Sequence, residues 1–466
     1  MKRILSKLKH AVRLSKSSTP NPVIQSNAGP PQDIAVCGSP VLVSVPEHSQ
    51  AEPVSDGPQL NTPLETLPPE VRRNLLSILG LEELSTLVHA SPVFYQQYFL
   101  DRRSLLCKSL ETTLGGVTVD ACAVYRTGVE SFSGTRTSGK VRQFLKSYED
   151  QRSSTQYSNL TKTLTQDEAV DMVAFYSSTI KPLVRHYTSW TLANLDDKAN
   201  NLQSYSPPLS KTERTRLLRA LYRFQLCCNL FGVGRHGTYG QLRLALRPID
   251  ILESFICIFE PWEVEEIACI YSFSKEKYDQ IFRDIRWDVH EENPKFEGRR
   301  PPTPEGAFDI DNSWVRAYLL IGTISRGLEL LYTIFTIRDH AHLVSAMQEH
   351  ISWPVGSFIE DEALGETAQS QRRQELWSNR DRKQQRRDLL PFKGDGEPDP
   401  PLAWTLIWSG TYSNLYGHYV PDAIRRWGYV MWDAARLGGT GAKEVLARQW
   451  NADWGDTDPR DNMQYM

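Results

Sequence analysis

The sequence predicts a mostly α-helical protein, and three observations carry that expectation. Two capping boxes, Thr165 to Glu168 and Ser210 to Glu213, each open a run of apolar residues at helical spacing. Glu260-Pro261-Trp262-Glu263 opens another, with proline in the first helical position and acids where the helix dipole favours them. No sequence period repeats, so leucine-rich and propeller architectures are not expected.

Composition sets the outer bounds. A chain of 466 residues has room for two or three domains and for a core that needs no disulfide staples. A net charge of -3 gives no global bias toward nucleic acid or acidic substrates. The seven cysteines (Cys37, Cys107, Cys122, Cys227, Cys228, Cys257 and Cys269) form no C-x-x-C pair. Their odd number reads as reduced core thiols in an intracellular protein, cytoplasmic or nuclear. No apolar run reaches the ~18 residues of a membrane span. The nearest, Trp314 to Phe335, carries Arg316, Arg326 and Glu329 and reads as a soluble core helix.

In chain order, residues 1–16 are basic with Ile4, Leu5, Leu8 and Val12 able to share one helical face. A solvated tail, a mitochondrial presequence, a membrane-surface helix and a nuclear signal all fit that pattern. Residues 17–60 are rich in Ser, Pro, Asn and Gln and are expected to be disordered, because they bury too little surface to offset chain entropy.

Leu64 to Tyr98 then reads as three short helices. Leu67-Pro68-Pro69 turns the chain into the first, whose Val71, Leu75, Ile78 and Leu79 make a stripe expected to be buried on one face. Gly80 is expected to stop it in a left-handed conformation. The second has Glu82 and Glu83 in its first turn and Leu84, Leu87 and Val88 facing inward. Ser91-Pro92 starts the third, with Phe94, Tyr95, Tyr98 and Phe99. Three such helices bury little alone and should lean on another part of the chain.

The pattern Leu67-Pro68-x-Glu70-Val71, Leu75-Leu76-Ser77-x-Leu79 and Glu83-Leu84-x-x-Leu87-Val88 resembles an F-box. It is most similar to the divergent F-boxes common in filamentous-fungal proteins, whose end reads Ala-Ser-Pro-x-Phe/Tyr, as Ala90-Ser91-Pro92-Val93-Phe94 does. Ala90-Ser91-Pro92 stands where the commoner F-box ending has Cys-Lys/Arg-x-Trp. The resemblance implies a three-helix module that docks on the Skp-type adaptor of an SCF (cullin–RING) ubiquitin ligase. It also implies which residues would face that adaptor: Leu67, Pro68, Val71, Leu75, Leu79, Leu84 and Leu87.

Leu100 to Leu114 is expected as a helix behind the module, completing a unit over 61–114. A helical domain of unknown ligand should occupy 115–466. Gly115 to Arg142, with its glycines and β-branched runs, reads as loop. After Thr165 the expected buried face is Val170, Val173, Ser177, Ile180, Val184 and Tyr187, with a kink at Pro182. After Ser210 it is Leu217, Leu221, Phe224, Cys228 and Phe231, an amphipathic pattern. Gly232-x-Gly234-x-x-Gly237 matches a dinucleotide fingerprint but follows a helix where that motif needs a strand, so it reads as a helix exit. Val264, Ile267, Tyr271, Tyr278, Ile281 and Ile285 mark the inner face of the helix after Pro261. Residues 294–311 and 389–401 read as loops. Trp314 to Ile337 reads as one apolar helix placed centrally, and Gln369 to Asp388 as a charge-laced exposed helix or, in a sharper reading, a basic nuclear signal or nucleic-acid patch. Beyond Pro421, Ile424, Trp427, Val430 and Met431 should point inward.

Arg338-Asp339-His340-Ala341-His342 is the best candidate for chemistry. Histidines at i and i+2 point to different faces of a helix, so they read as capping or surface residues. No H-E-x-x-H, zinc-finger spacing, G-x-S-x-G, P-loop or kinase signature occurs. The sequence motifs yield no catalytic residue, cofactor or metal, and the F-box resemblance implies a non-enzymatic receptor. That receptor presents an unknown protein target and has no nucleic-acid partner. The competing reading is a scaffold whose F-box-like helices are sealed against its own body.

Overall fold

The computed structural model describes residues 64–154, 159–196, 208–234, 246–297, 307–354, 358–359 and 363–461. The expectations for residues 1–60, for Cys37 and for Gly237 lie outside the described residues. Helices dominate, as expected. No β-strand forms among the described residues beyond an isolated bridge between Leu389 and Thr411.

The first three helices are α1 (Pro69–Ser77), α2 (Leu81–Ala90) and α3 (Pro92–Leu100), followed by α4 (Arg102–Leu114). The chain continues through α5 (Thr118–Gly128), α6 (Ser138–Ser153) and α7 (Gln166–Phe175) into α8 (Lys181–Asp196). At the centre lie α9 (Lys211–Phe231) and α10 (Pro261–Asp284), which pack on one another, and α5 packs on α9 as well. Next come α11 (Ser313–Ile324), α12 (Leu328–Thr336), α13 (His340–His350), α14 (Glu366–Glu375) and α15 (Asn379–Gln385). The final helix, α16 (Ala442–Trp454), packs on short helical turns at 402–407, 422–425 and 434–439.

Both capping boxes form. The Thr165 side chain accepts from Glu168 N–H while Glu168 accepts from Thr165 N–H at 2.7 Å, and Ser210 with Glu213 does the same at 3.0 Å. Pro182 cannot donate to the preceding turn, and the chain answers with a π-helical turn at Tyr176–Ile180 where a kink was expected. The buried face runs Ala169, Met172, Tyr176, Ile180, Leu183 and Tyr187, as expected at Ile180 and Tyr187 and one residue earlier at the other four positions.

Four expectations are corrected. Residues 115–142 are largely helical, not loop: α5 buries Ala121, Cys122 and Val124 against α9, and that burial outweighs poor helix propensity. Trp314 to Ile337 is two helices bent by 102°, not one central rod. The break falls at Gly327, whose φ of 98° suits glycine alone, and Gln225 Oε1 of α9 accepts the Leu328 N–H at 2.7 Å to start α12. Trp314 stays 60% exposed, so the central place belongs to α9 and α10. Among the described residues no single helix is long and apolar enough to cross a membrane. Residues 369–388 form two helices and are not an exposed face throughout: Gln369, Arg372, Arg373, Asp381 and Gln384 are buried. Arg372 donates to both Asp381 oxygens at 2.5 and 2.8 Å.

The fourth correction concerns α9. Leu217, Leu221, Phe224, Cys228 and Phe231 are buried as expected, yet the polar side is buried too. Arg219 grips Glu266 at 2.5 and 2.8 Å and reaches Glu263 at 3.2 Å. Arg223 lies between Asp120 at 3.3 Å and Glu263 at 3.0 Å. Arg216 pairs with Asp433 at 2.9 Å, and Glu213 with Arg436 at 2.7 Å. Burial pushes the Glu266 carboxyl up despite Arg219. The carboxyl end of α9 is capped by Arg136, which donates to the Asn229 and Gly232 carbonyls from a buried position that lowers its pKa to about 10.

Several further expectations for the body hold among the described residues. Ile424, Trp427, Val430 and Met431 are buried, and the six described cysteines are free, all but Cys257 fully buried. Residues 389–401 are irregular, and 294–296 form only one 3-10 turn.

Candidate functional site

Leu76, Leu84, Val88 and Phe94 of the first three helices pack on each other and on Leu105 of α4, making a small core separate from the main one. The opposite side of α4 gives Leu106, Cys107, Leu110 and Leu114 to the main core. α4, together with α2 whose Leu81 also lies in the main core, thus belongs to both cores and joins the module to the body. The joint is reinforced where Arg103 donates to the Leu164 carbonyl at 2.8 Å, Leu160 N–H to Glu111 at 2.6 Å and Lys181 pairs with Glu82 at 3.0 Å.

The entry to the module is fixed by polar contacts. Ser91 caps α3, and its hydroxyl donates to Glu65 Oε1 at 2.5 Å, tying the segment before the Leu67-Pro68 corner to the start of the third helix. Arg73 of α1 pairs with Asp101 at 2.7 Å. Burial alone would raise the Asp101 carboxyl, but hydrogen bonds from Arg73 and Gln97 outweigh it and hold it below the ordinary carboxylate value. Gly80 ends α1 in extended backbone, φ −70° and ψ 173°, and not in the left-handed conformation expected of it.

The stripe on α1 is the main departure. Leu76 takes the inner position; of the residues expected inside, Val71 and Ile78 are turned outward while Leu75 and Leu79 pack on the small core from its edge. Val71 is 44% and Ile78 is 68% exposed, with Leu75 and Leu79 half-buried on the flank. Pro68 is exposed and Leu67 half-buried at the helix start. Of the residues the resemblance assigns to an adaptor, Leu67, Pro68, Val71, Leu75 and Leu79 therefore lie along α1 with accessible surface, and Leu87 is half-buried on α2. Leu84 does not join them. At 3% exposure it faces Leu76 and Phe94, because it sits on the same side of α2 as Val88.

No protein-family model, curated protein or solved structure matches this chain.

Other apolar surface on the module was not singled out by the sequence reading. Tyr95, Phe99 and Leu100 of α3 are exposed, as is Leu64 before the corner. Six of the twelve large apolar side chains that stay exposed among the described residues fall between Leu64 and Leu100. Scattered exposed apolar residues are normal, and here half of them fall within one short module. The only available signal was that Phe94, Tyr95, Tyr98 and Phe99 crowd a helix too short to bury them all.

The histidine cluster assembles no site. Asp339 caps α13 by accepting from His342 N–H at 2.8 Å, and His340 lies on the surface 3.0 Å from Asp288. No group of three metal-ligating side chains occurs among the described residues.

Proposed function

We propose that the chain is a substrate receptor of the F-box type, docking on a Skp-type adaptor of an SCF ubiquitin ligase and presenting a protein target with its helical body. The observation that carries this reading is the outer face of α1: a Leu67-Pro68 corner followed by exposed Val71 and Ile78 with Leu75 between them. A helix whose apolar stripe faces outward from an already packed three-helix core has the form of a docking surface. In the scaffold reading the same stripe is sealed against the body, which Val71 and Ile78 do not favour. Bond chemistry in this role belongs to partner subunits.

The test is a pull-down with purified Skp-type adaptor beside thermal unfolding of the same preparation. Leu67→Ala with Pro68→Ala removes anchors that contribute ~2 kcal/mol or more to binding, a loss of roughly thirtyfold, while leaving the unfolding midpoint near that of the parent. A parent protein that ignores the adaptor at about 1 μM overturns the ligase assignment.

A further inference from the structure

A groove between α5 and α6, lined also by Val129, Ser131 and Phe132 of the segment joining them, holds about 450 Å³ and adjoins a smaller pocket of about 150 Å³. Phe132 and Phe144 wall both, meeting edge to face with ring centres 5.5 Å apart. Buried Tyr148 and Ala123 line the pocket. The Tyr148 hydroxyl is committed to Asp120, which leaves the pocket the ring. The inner end is thus walled by rings, with Arg126, Ser147 and Gln151 at its edge, and is sized for a single side chain.

The rim has the opposite character. Arg126 and Lys140 are both exposed there, and neither forms an ion pair among the described residues; Lys140 Nζ donates only to Thr135 Oγ1, at 2.8 Å. No acid lines the groove or the pocket, although the chain as a whole carries a net charge of -3. Arg142, also on α6, by contrast meets Asp250 at 3.3 Å. The two rim cations stay available to the carboxylates of a ligand.

We propose that this groove binds an acidic peptide segment of a partner protein. An apolar side chain enters between Phe132 and Phe144, and flanking carboxylates meet Arg126 and Lys140. Charge complementarity at the rim selects the segment, and the pocket fixes its register. Calling the groove the target site of a ligase receptor rests on the function proposed above; peptide binding itself does not.

The experiment pans the full-length chain against a random peptide library. Enriched sequences should combine an apolar residue with neighbouring acids, and their binding should weaken as salt is added. Arg126→Glu with Lys140→Glu should weaken an enriched peptide roughly tenfold or more. Ser147→Trp, a change at an exposed position on the pocket wall, should block entry of the anchor. Both variants should keep the parent's unfolding midpoint, since the altered side chains are exposed. No enrichment, enriched peptides without acids, equal binding by the variants, or displacement of the peptide by a single-stranded RNA oligonucleotide would each overturn the proposal. Adaptor binding is read on the same proteins. A parent that holds the peptide and ignores the adaptor removes the receptor reading alone.

Discussion

Glu263 offers the sharpest test of the central packing. It stands in the first turn of α10, where its carboxylate accepts from Glu260 N–H at 3.1 Å. Three guanidiniums converge on it: Arg223 at 3.0 Å, Arg219 at 3.2 Å and Arg152 at 3.4 Å. With Asp120 and Glu266 it balances those three arginines, three charges against three. Glu263→Gln leaves two acids against three bases inside a buried layer and should destabilise by ~3–5 kcal/mol, the range for breaking a buried pair. The lower end is expected, because Arg152 is the most exposed of the three and rehydrates most easily. Denaturant unfolding should show a lower midpoint at unchanged slope. Its pH dependence has a definite sign. Burial raises the Glu263 carboxyl, but Arg223 and Arg219 outweigh it and hold it well below its ordinary 4.5. A depressed folded pKa gives stability that is present above 4.5 and lost as pH falls below it. The variant should therefore lose part of the parent's acid sensitivity. A loss under ~1 kcal/mol with an unchanged acid limb would refute the claim that this layer is buried and balanced.

Two further substitutions test the core and the bend. Phe224→Ala, at a position 1% exposed on α9, should destabilise by ~3–5 kcal/mol in thermal or denaturant unfolding, and a parent-like midpoint would place that face wrongly. Gly327→Ala puts a Cβ on a backbone with φ of 98° and 2.6 Å from Gln225 Oε1, the atom that caps α12. It should lower stability by ~1–3 kcal/mol, and an unchanged midpoint would show that the bend between α11 and α12 relaxes freely.

Helix starts were legible because a capping box is a local object. Thr165 with Glu168 and Ser210 with Glu213 are complete within four residues, and the apolar period that follows needs no knowledge of the rest of the chain. What covers each face is not local. Arg216, Arg219 and Arg223 read as the solvent side of an amphipathic helix, yet the partner of Arg216 is Asp433, separated from it by 217 positions. Arg372 and Asp381 misled in the same way: a run dense in basic residues looks exposed until the fold brings in Asn414, whose side chain donates to Asp381 at 2.8 Å. The helix over Thr118–Gly128 was missed because glycines and β-branched residues argue against it locally, while contact with α9 decides it.

The stripe on α1 and the arginines on α9 are the same ambiguity with opposite outcomes. Periodicity separates two faces of a helix and does not say which is covered. On α9 the polar face is covered, and distant acids neutralise it. On α1 the apolar face is uncovered, because Leu76, Leu84, Val88 and Phe94 already fill the space between the three helices. Fully burying a side chain such as Val71 or Ile78 is worth ~1.5–3 kcal/mol, a gain the described fold leaves largely unused. The three helices are held by their own core and anchored through α4, so a partner meeting that face need not order it first. Less of the binding free energy is then spent on conformational entropy. For the same reason truncating the Leu67-Pro68 corner should affect binding far more than stability.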